Sequence, residues 1–272
     1  MENSLRSRKM EVWRLIEDGT GDGAMNMATD RAILEACGQG KAPPTLRLYG
    51  WQQPTVTTGY SQDSCRDLDM NRCRSLGIPV VSRPTGGRAL LHDKELTYSL
   101  VAPIPHPRFP PNLRSAFQVV SEALLLSLGK MGIEDAAMAK NRGVSVNGRS
   151  PSCFSSLNHC EITVNNKKLI GSAQRRKSRS FLQQGSLWID CDRELMNSLF
   201  RFNLPQIREA NLKILERNTI SLNQLCKKEV RFEEVAEAFQ KGFQSAFPVK
   251  WERGELSVYE MDLRDRFLNQ KD

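Results

Sequence analysis

The chain has 272 residues, of which 39% are apolar and 26% charged, and it carries a formal net charge of +8 at pH 7. This balance is typical of a globular protein and excludes an intrinsically disordered chain. The longest purely aliphatic run is ALLL at 123–126, and no apolar segment follows the basic residues of the N-terminus, so we expect neither membrane association nor a signal peptide. Seven scattered cysteines without a CxxC pair favour a reduced, cytoplasmic protein without a zinc site.

Hydrophobic periodicity and turn residues divide the chain into strands and helices. In chain order we predict a strand at 11–17, a helix at 24–37, strands at 45–51 and 55–60, a helix at 65–77 and a strand at 78–84. A turn at 85–87 precedes strands in RALLHD and ELTYSLVAP, a long helix at 113–131, strands in CEITV, KLIGSAQ and FLQQGSLWID, and helices at 192–198, 221–227 and 233–247. Consecutive hairpins predict an α+β domain with mixed, mostly antiparallel sheets and flanking helices. No linker or repeat interrupts it, so we expect a single domain over residues 1–272.

A tight hairpin is predicted where Asn165 and Asn166 separate CEITV from KKLIGSA, because two-residue Asn-rich loops favour positive φ at both positions. Val164 then faces Lys167, Thr163 faces Lys168, and Ile162 faces Leu169. Alternation of side chains sorts the hairpin into two faces. One face carries Cys160, Ile162, Val164, Leu169, Gly171 and Ala173, and the other carries Glu161, Thr163, Lys168, Ile170 and Ser172.

Two cysteines near this hairpin are candidates for a nucleophile. Cys160 falls on the apolar face and is predicted to be a core residue, whereas Cys153 precedes the strand in a polar loop, where an accessible thiol is easier to build. A thiol–ammonium partnership with Lys168 would therefore involve Cys153. From these residues alone the simpler interpretation stays open: an unreactive loop cysteine, a Lys168 that pairs with Glu161, and a surface His159.

A second signal is the stretch SRPTGGRALLHDKELTYSL at 82–100. Its paired glycines allow a ligand to approach the backbone closely. Arg83 and Arg88 beside them suit a phosphate or carboxylate. A plain hairpin turn with surface arginines remains the alternative, since neither the P-loop nor the dinucleotide-binding motif is present.

These motifs resemble the biotin/lipoate protein ligase superfamily, in its lipoate branch. The resemblance spans roughly residues 10–260 and is carried, in order, by NMATDRAI, LRLYGWQQPTVTTGYSQ, RPTGGRALLHD, NKKLIGSAQRR and LQQGSLWID. The biotin branch would show a GRGR-type loop, which this sequence lacks. The resemblance implies a biotin/lipoate ligase-like catalytic domain.

Within the lipoate branch, the loop around Cys153 separates the activities. ATP-dependent ligases typically show Arg-Asn-Asp where this chain has Ser152, Cys153 and Phe154. The Cys-Phe pair and the later Lys168-x-x-Gly-Ser-Ala-Gln are similar to cysteine-dependent octanoyltransferases of the LipM type. Amidotransferases that move octanoyl between lipoyl-bearing proteins also use a cysteine in this region, but with different flanking residues. Cys160 departs from the pattern, since an aromatic residue is expected there.

The resemblance implies protein lipoylation by acyl transfer without ATP, metal or another cofactor. Cys153 would accept octanoyl from acyl carrier protein and pass it to a lysine of a lipoyl domain such as the glycine-cleavage H protein. Lys168 would activate the thiol, and the basic cluster at 174–179 would recruit acidic carrier proteins. Residues expected around the acyl group and its carrier are Arg83, Gly86, Gly87, Arg88, Ala89, Leu90, His92, Gly171, Ser172 and Ala173.

Three other functions are weighed against this one. An ATP-dependent lipoate ligase would share the fold. A nucleic-acid-binding protein would use the basic surface, although no helix-turn-helix signature or aromatic interleaving supports it. A hydrolase built on Cys153 and His159 lacks an evident third residue to orient the histidine.

Overall fold

The computed structural model describes residues 10–139 and 161–270. Its strands are β1 (Val12–Gly21), β2 (Thr45–Trp51), β3 (Thr55–Gly59), β4 (Val80–Arg83), β5 (Leu90–His92), β6 (Glu95–Pro103), β7 (Ala136–Met138), β8 (Ile162–Val164), β9 (Lys167–Arg176), β10 (Ser180–Trp188) and β11 (Lys250–Arg253). Its helices are α1 (Gly23–Gly38), α2 (Ser64–Asp67), α3 (Met70–Ser75), α4 (Leu113–Lys130), α5 (Arg193–Ser198), α6 (Pro205–Asn218), α7 (Leu222–Cys226), α8 (Phe232–Ala246) and α9 (Val258–Asn269).

The strands form a large and a small sheet. The large sheet has the order β11-β1-β2-β6-β10-β9-β8-β7, and the small one the order β4-β3-β5. In the large sheet β1 runs parallel to β2 and to β11, while the other described neighbours are antiparallel. In the small sheet β3 is parallel to β4 and antiparallel to β5. The predicted α+β class with mixed, mostly antiparallel sheets is thereby confirmed.

Several regions differ from the predicted elements, and β7, β11 and α9 were not predicted. The expected helix at 65–77 is divided into α2 and α3, because Leu68 leaves the helical path to bridge Phe200 and Asp69 caps a new helix at the backbone N–H of Arg72. Helix α6 was not predicted, since its sequence is largely polar and only Asn211 and Leu215 are buried. So narrow a buried stripe gives a weak helical pattern.

The two faces of the large sheet differ in chemistry. Directly opposed residues of antiparallel strands share a face, so the register places Leu48 with Tyr98 on one side and Arg47 with Ser99 on the other. The first side, here called the apolar face, packs with α4 and α8 in the main hydrophobic core. The second side, the polar face, is also buried and is covered by α1 and the small sheet. It carries Arg47, Glu95, Thr97, Ser99, Gln184 and Ser186.

Asp30 of α1 organises this polar face. Its fully buried carboxylate accepts hydrogen bonds from Arg47 Nη1 at 2.9 Å, Tyr49 Oη at 2.8 Å, Ser99 Oγ at 2.8 Å and Gln184 Nε2 at 2.5 Å. The donors belong to β2, β6 and β10. One side chain therefore fixes α1 against three strands of the sheet.

The hairpin between β8 and β9 has the predicted turn. Asn165 and Asn166 adopt φ values of 50° and 61°, as a tight two-residue loop requires. The predicted pairing of Val164 with Lys167 is observed. The sequence therefore indicated the turn and the start of the register correctly.

The third predicted pair of this hairpin is wrong. Thr163 faces Lys168 as expected, but Ile162 faces Ile170 and not Leu169. Leu169 is thus an extra residue in β9, which makes a β-bulge. A bulge of one residue cannot be deduced from alternation, because alternation assumes an unbroken ladder.

The bulge changes the face on which Lys168 lies. Thr163 and Ile162 alternate, so their partners Lys168 and Ile170 lie on opposite sides of the sheet. Lys168 therefore shares the polar face with Gly171 and Ala173. The predicted grouping of Lys168 with Ile170 and Ser172 is wrong for this reason.

Membrane-spanning segments were also sought. In residues 10–139 and 161–270, no helix combines the length and the apolar character that crossing a bilayer requires.

The Asp30 network predicts a large loss of stability in Asp30→Asn. The change keeps the shape but removes the buried charge opposite Arg47, which should lower the free energy of unfolding by about 3–5 kcal/mol. Chemical denaturation measures the loss. Glu237→Gln, on an exposed face of α8 where Glu237 pairs with Lys241 at 2.6 Å, is the matched control and should change stability by less than about 0.5 kcal/mol. Equal effects of the two changes would contradict the organising role of Asp30.

Candidate active site

A pocket lies between the polar face of the large sheet and the small sheet. The cavity inside it has a volume of about 40 Å³, which is well below the range of most small-molecule sites. Both sheets and α1 contribute to its walls. The lining residues are Met27, Tyr49, Trp51, Thr57, Arg83, Thr85, Leu90, His92, Thr97, Gly171, Ser172, Ala173, Gln184, Gly185 and Ser186.

The long direction of the pocket follows from the sheet register. Gly171, Ser186, Thr97 and Tyr49 are opposed in turn on β9, β10, β6 and β2. Three strand spacings separate the first from the last, which is about 14 Å. The pocket therefore runs across four strands, from the strand that carries Lys168 towards β2.

Lys168 lies beside one end of this row and is completely buried. Its Nζ donates to Glu161 Oε1 at 2.6 Å, and both side chains are 0% exposed. The alternative in which Lys168 pairs with Glu161 is thus confirmed. Two buried opposite charges at this distance compensate each other, and the contact fixes the position of the ammonium group.

The cysteines of the sequence prediction lie outside the described residues. This holds for Cys153 and Cys160 and also for His159. The described residues that flank this stretch are joined, because the backbone N–H of Ala139 donates to the carbonyl of Glu161 at 2.8 Å. The proximity of Cys153 to Lys168 stays a prediction.

Arg83 holds the Thr-Gly-Gly turn through backbone carbonyls. Its Nε and Nη2 donate to Gly86 O at 3.2 and 2.8 Å, and Nη2 also donates to Arg88 O at 2.8 Å. Nη1 donates to the carbonyl and the hydroxyl of Thr57 at 3.2 and 3.0 Å. All five N–H groups of Arg83 thus have acceptors within the protein. The guanidinium braces the turn, whereas the sequence had suggested that it meets a phosphate or carboxylate.

The turn also packs closely on β3. A Cβ atom on Gly59 would lie 2.1 Å from the carbonyl oxygen of Gly87. Gly87 itself has φ of +100°, a conformation that side chains rarely adopt. Glycine is therefore required on both sides of this contact.

The structure brings together six of the residues predicted to bind substrate. Those that line the pocket are Arg83, Leu90, His92, Gly171, Ser172 and Ala173, whereas Gly86, Gly87, Arg88 and Ala89 are outside its lining. Ala89 is fully buried in the apolar cluster below the small sheet.

The backbone of Ser172 lines the pocket, but its hydroxyl group lies on the opposite face of the sheet. Its Oγ lies 2.8 Å from Tyr98 Oη, and Tyr98 is on the apolar face. Burial raises the pKa of Tyr98 to about 12, against the opposing effect of hydrogen bonds with Ser172 and Gln183, so this phenol stays protonated at neutral pH. Contacts of Ser172 with a pocket ligand would therefore be made by its backbone.

Several pocket residues were missed in the sequence, among them Trp51, Thr57, Thr97 and Ser186. A signal for some of them was present in ELTYSLV, where polar Glu95, Thr97 and Ser99 alternate with apolar residues. In the sequence analysis, this alternation of polar and apolar residues predicts a strand but no binding site. A strand that is buried on both faces but polar on one indicates an internal site.

A comparison with known protein families identifies the family to which this chain belongs. Residues 22–244 match the model of the lipoyl protein ligase A/B catalytic domain. The chain belongs to this family. The resemblance stated from the motifs is confirmed.

Two relatives show how far the similarity extends. The octanoyltransferase LipM of Kyrpidia tusciae is 38% identical over 263 residues, which cover 95% of this chain and 96% of the relative. The octanoyltransferase LipM of Bacillus subtilis is 35% identical over 257 residues, covering 93% and 92%. This member of the lipoyl protein ligase A/B family is therefore an enzyme of the acyltransferase class, as predicted.

Solved structures agree on the fold. A bipartite lipoate protein ligase from Thermoplasma acidophilum superposes with a TM-score of 0.79 at 21% identity, covering 97% of this chain and 93% of its own. A lipoate-protein ligase A bound with ATP superposes with a TM-score of 0.76 at 23% identity, covering 96% of each chain. The predicted lipoate ligase-like fold is confirmed.

The contact between Gly59 and the turn predicts the effect of Gly59→Ala. The added methyl group would displace the carbonyl of Gly87, and we expect a loss of about 1–3 kcal/mol in the free energy of unfolding. Gly129→Ala on α4, where nothing lies within 4 Å of the new atom, is the control and should be neutral or stabilising by up to about 1 kcal/mol. Thermal denaturation of both variants measures the change in stability. If Gly59→Ala is as stable as the wild type, the turn can move away from β3 without loss, and the contact is not required.

Proposed function

We propose that this protein is an octanoyltransferase of protein lipoylation. It takes octanoyl from octanoyl acyl carrier protein, holds it as a thioester on Cys153, and transfers it to a lysine of a lipoyl domain of the glycine-cleavage H protein type. The observation that carries the proposal is the similarity to proteins named octanoyltransferase LipM over more than 90% of both chains. A reactive thiol needs a reducing compartment, which favours the cytoplasm.

The first step is a thioester exchange. The thiolate of Cys153 attacks the carbonyl carbon of the donor thioester, a new C–S bond forms, and the C–S bond to the carrier breaks. The carrier leaves as a thiolate, which takes up the proton that Cys153 has lost. Two thioesters are nearly equal in energy, so this step needs no nucleotide.

The second step forms an amide. The neutral amine of the acceptor lysine attacks the Cys153 thioester, a C–N bond forms and the C–S bond breaks. The amine gives up a proton to water, and the Cys153 thiolate is restored. An amide is more stable than a thioester, so this step draws the reaction forward.

Lys168 is the proposed activating group. An adjacent ammonium stabilises a thiolate and makes the cysteine more nucleophilic at neutral pH. The position of Lys168 on the polar face, beside the row that begins at Gly171, supports this role. Glu161 would hold the ammonium in place, since it accepts the hydrogen bond from Lys168 at 2.6 Å.

The remaining parts of the site have supporting roles in this proposal. The pocket across the polar face would hold the acyl chain between Met27, Trp51 and Leu90, which contribute to its lining. These side chains would have to move apart, because the cavity of about 40 Å³ is smaller than an octanoyl chain. The oxyanion of each tetrahedral intermediate requires backbone N–H donors, for which the Gly86–Gly87 turn and the Ser172–Ala173 segment are the candidates.

The basic cluster at 174–179 would attract acidic carrier proteins by long-range electrostatics. Two of its cations also have intramolecular partners: Arg175 donates to Pro84 O at 2.8 Å, and Lys177 pairs with Glu35 at 2.6 Å. These two side chains are therefore already engaged within the protein, and recruitment would depend mainly on the net charge of the cluster.

Cys153 is tested by intact mass spectrometry after incubation with octanoyl acyl carrier protein and no nucleotide. The protein should gain one octanoyl group. Cys153→Ser should abolish the adduct, and Cys160→Ser, the matched control, should retain it. A requirement for ATP and free acid would indicate a ligase instead. An adduct formed only from an octanoylated lipoyl domain would indicate an amidotransferase.

Lys168 is tested with a charge-balanced pair of changes. Lys168→Met alone would leave Glu161 buried and uncompensated, at a cost of about 3–5 kcal/mol. Lys168→Met combined with Glu161→Gln removes both charges and should remain folded by circular dichroism. In this double variant the rate of Cys153 acylation should fall by about 10²-fold. The deficit should grow as pH falls, because an unassisted thiol has less thiolate. A folded double variant with the wild-type rate would remove Lys168 from the mechanism.

A further inference from the structure

The buried carboxylate of Glu95, on the polar face beside the pocket, lies within hydrogen-bond distance of three side chains. Glu95 Oε1 accepts from Trp51 Nε1 at 3.2 Å and from Thr97 Oγ1 at 2.6 Å, and it lies 2.7 Å from His92 Nδ1. Glu95 is only 2% exposed, and in the described part of the chain its second oxygen has no hydrogen-bond partner. An unsatisfied buried carboxylate oxygen is costly, so its retention points to a role beyond stability.

His92 continues the network from the large sheet to the small sheet. Its Nε2 lies 2.8 Å from Thr57 Oγ1, and its ring is stacked on Trp51 with centroids 4.1 Å apart and an interplanar angle of 19°. Its Nδ1 therefore faces the Glu95 carboxylate and its Nε2 faces the Thr57 hydroxyl. The hydroxyl oxygen of Thr57 also accepts a hydrogen bond from Arg83 Nη1 at 3.0 Å.

A continuous series of hydrogen bonds therefore crosses the pocket. It starts at Glu95 on the large sheet, passes through His92 and Thr57, and reaches Arg83 on the small sheet. Arg83 in turn donates to the carbonyl groups of the Gly86–Arg88 turn. Glu95, His92, Thr57 and Arg83 are each at most 8% exposed, so water does not compete strongly with these bonds.

We infer that Thr57 and Glu95 are positioning residues for acyl transfer, a role that rests on the proposed function. They fix His92 and Arg83, and through Arg83 they hold the Gly86–Arg88 turn before the substrate carbonyl becomes an oxyanion. Donors that are already in place cost no reorganisation in the transition state. Loss of the Thr57 hydroxyl would release the turn from His92 while leaving every pocket side chain except Thr57 unchanged.

The kinetic test compares Thr57→Val, Thr57→Ser and Thr58→Val in the complete transfer of octanoyl from octanoyl acyl carrier protein to a lipoyl domain, with the donor concentration varied. Thr57→Val should lower kcat by about tenfold and leave KM for the donor within about twofold, because the lost interaction acts in the transition state. Thr57→Ser keeps the hydroxyl and should recover kcat to within about threefold. Thr58→Val is the matched control: it is buried in the neighbouring position of β3, outside the pocket lining, and should match the wild type.

Three kinetic outcomes would overturn the positioning role. They are an unchanged kcat in Thr57→Val, a Thr57→Ser variant as slow as Thr57→Val, and a loss confined to KM. If the wild type acquires no octanoyl group, the proposed function fails and this role fails with it.

A second measurement needs no acyl donor. Long-range ¹H–¹⁵N spectra of imidazole-labelled protein should show a change in the His92 signals in Thr57→Val but not in Thr58→Val, with the His92 signals identified by their absence in His92→Gln. His92 signals that are unchanged in Thr57→Val would overturn the hydrogen-bond series, whether or not the protein transfers octanoyl groups.

Discussion

The polar face of the large sheet depends on the buried carboxylate of Asp30. Taking a charge out of water is unfavourable unless several partners replace its hydration, and Asp30 receives donors from Arg47, Tyr49, Ser99 and Gln184. These contacts tie one helix to three strands that are distant in the chain. An apolar core would supply similar stability without fixing the same geometry. The network sets where the floor of the pocket lies relative to α1.

The Thr-Gly-Gly turn above that floor is held from two directions. On one side the hydroxyl of Thr85 donates to Gln184 Oε1 at 2.9 Å, and Gln184 donates in turn to Asp30. On the other side Arg83 connects the turn to Thr57. The first connection reaches the large sheet directly, and the second reaches it through His92 and Glu95. The turn is therefore held in one position beside the pocket although it contains two glycines.

The sequence predicted what depends on local chemistry. Asn165 and Asn166 indicated the hairpin because the turn type needs positive φ, and the pairing of Lys168 with Glu161 was one of the two interpretations that the sequence left open. The sequence motifs around the Thr-Gly-Gly turn and the hairpin indicated the family correctly. The hydrogen-bond network of Asp30 was not predictable from the sequence, because its four donors come from remote parts of the chain. Arg83 was interpreted as an anion ligand because a sequence shows that donors exist but not which acceptors already occupy them.

The additional residue in β9 has a consequence for how this enzyme family can vary. Because Leu169 shifts the ladder by one position, Lys168 and Gly171 lie on the same side of the sheet although three residues apart. An unbroken ladder through all of these residues would place Lys168 on the side of α4 and α8, away from the pocket. A homologue can therefore keep the ammonium on the polar face in two ways: with the bulge, or with one residue fewer between Lys168 and Gly171.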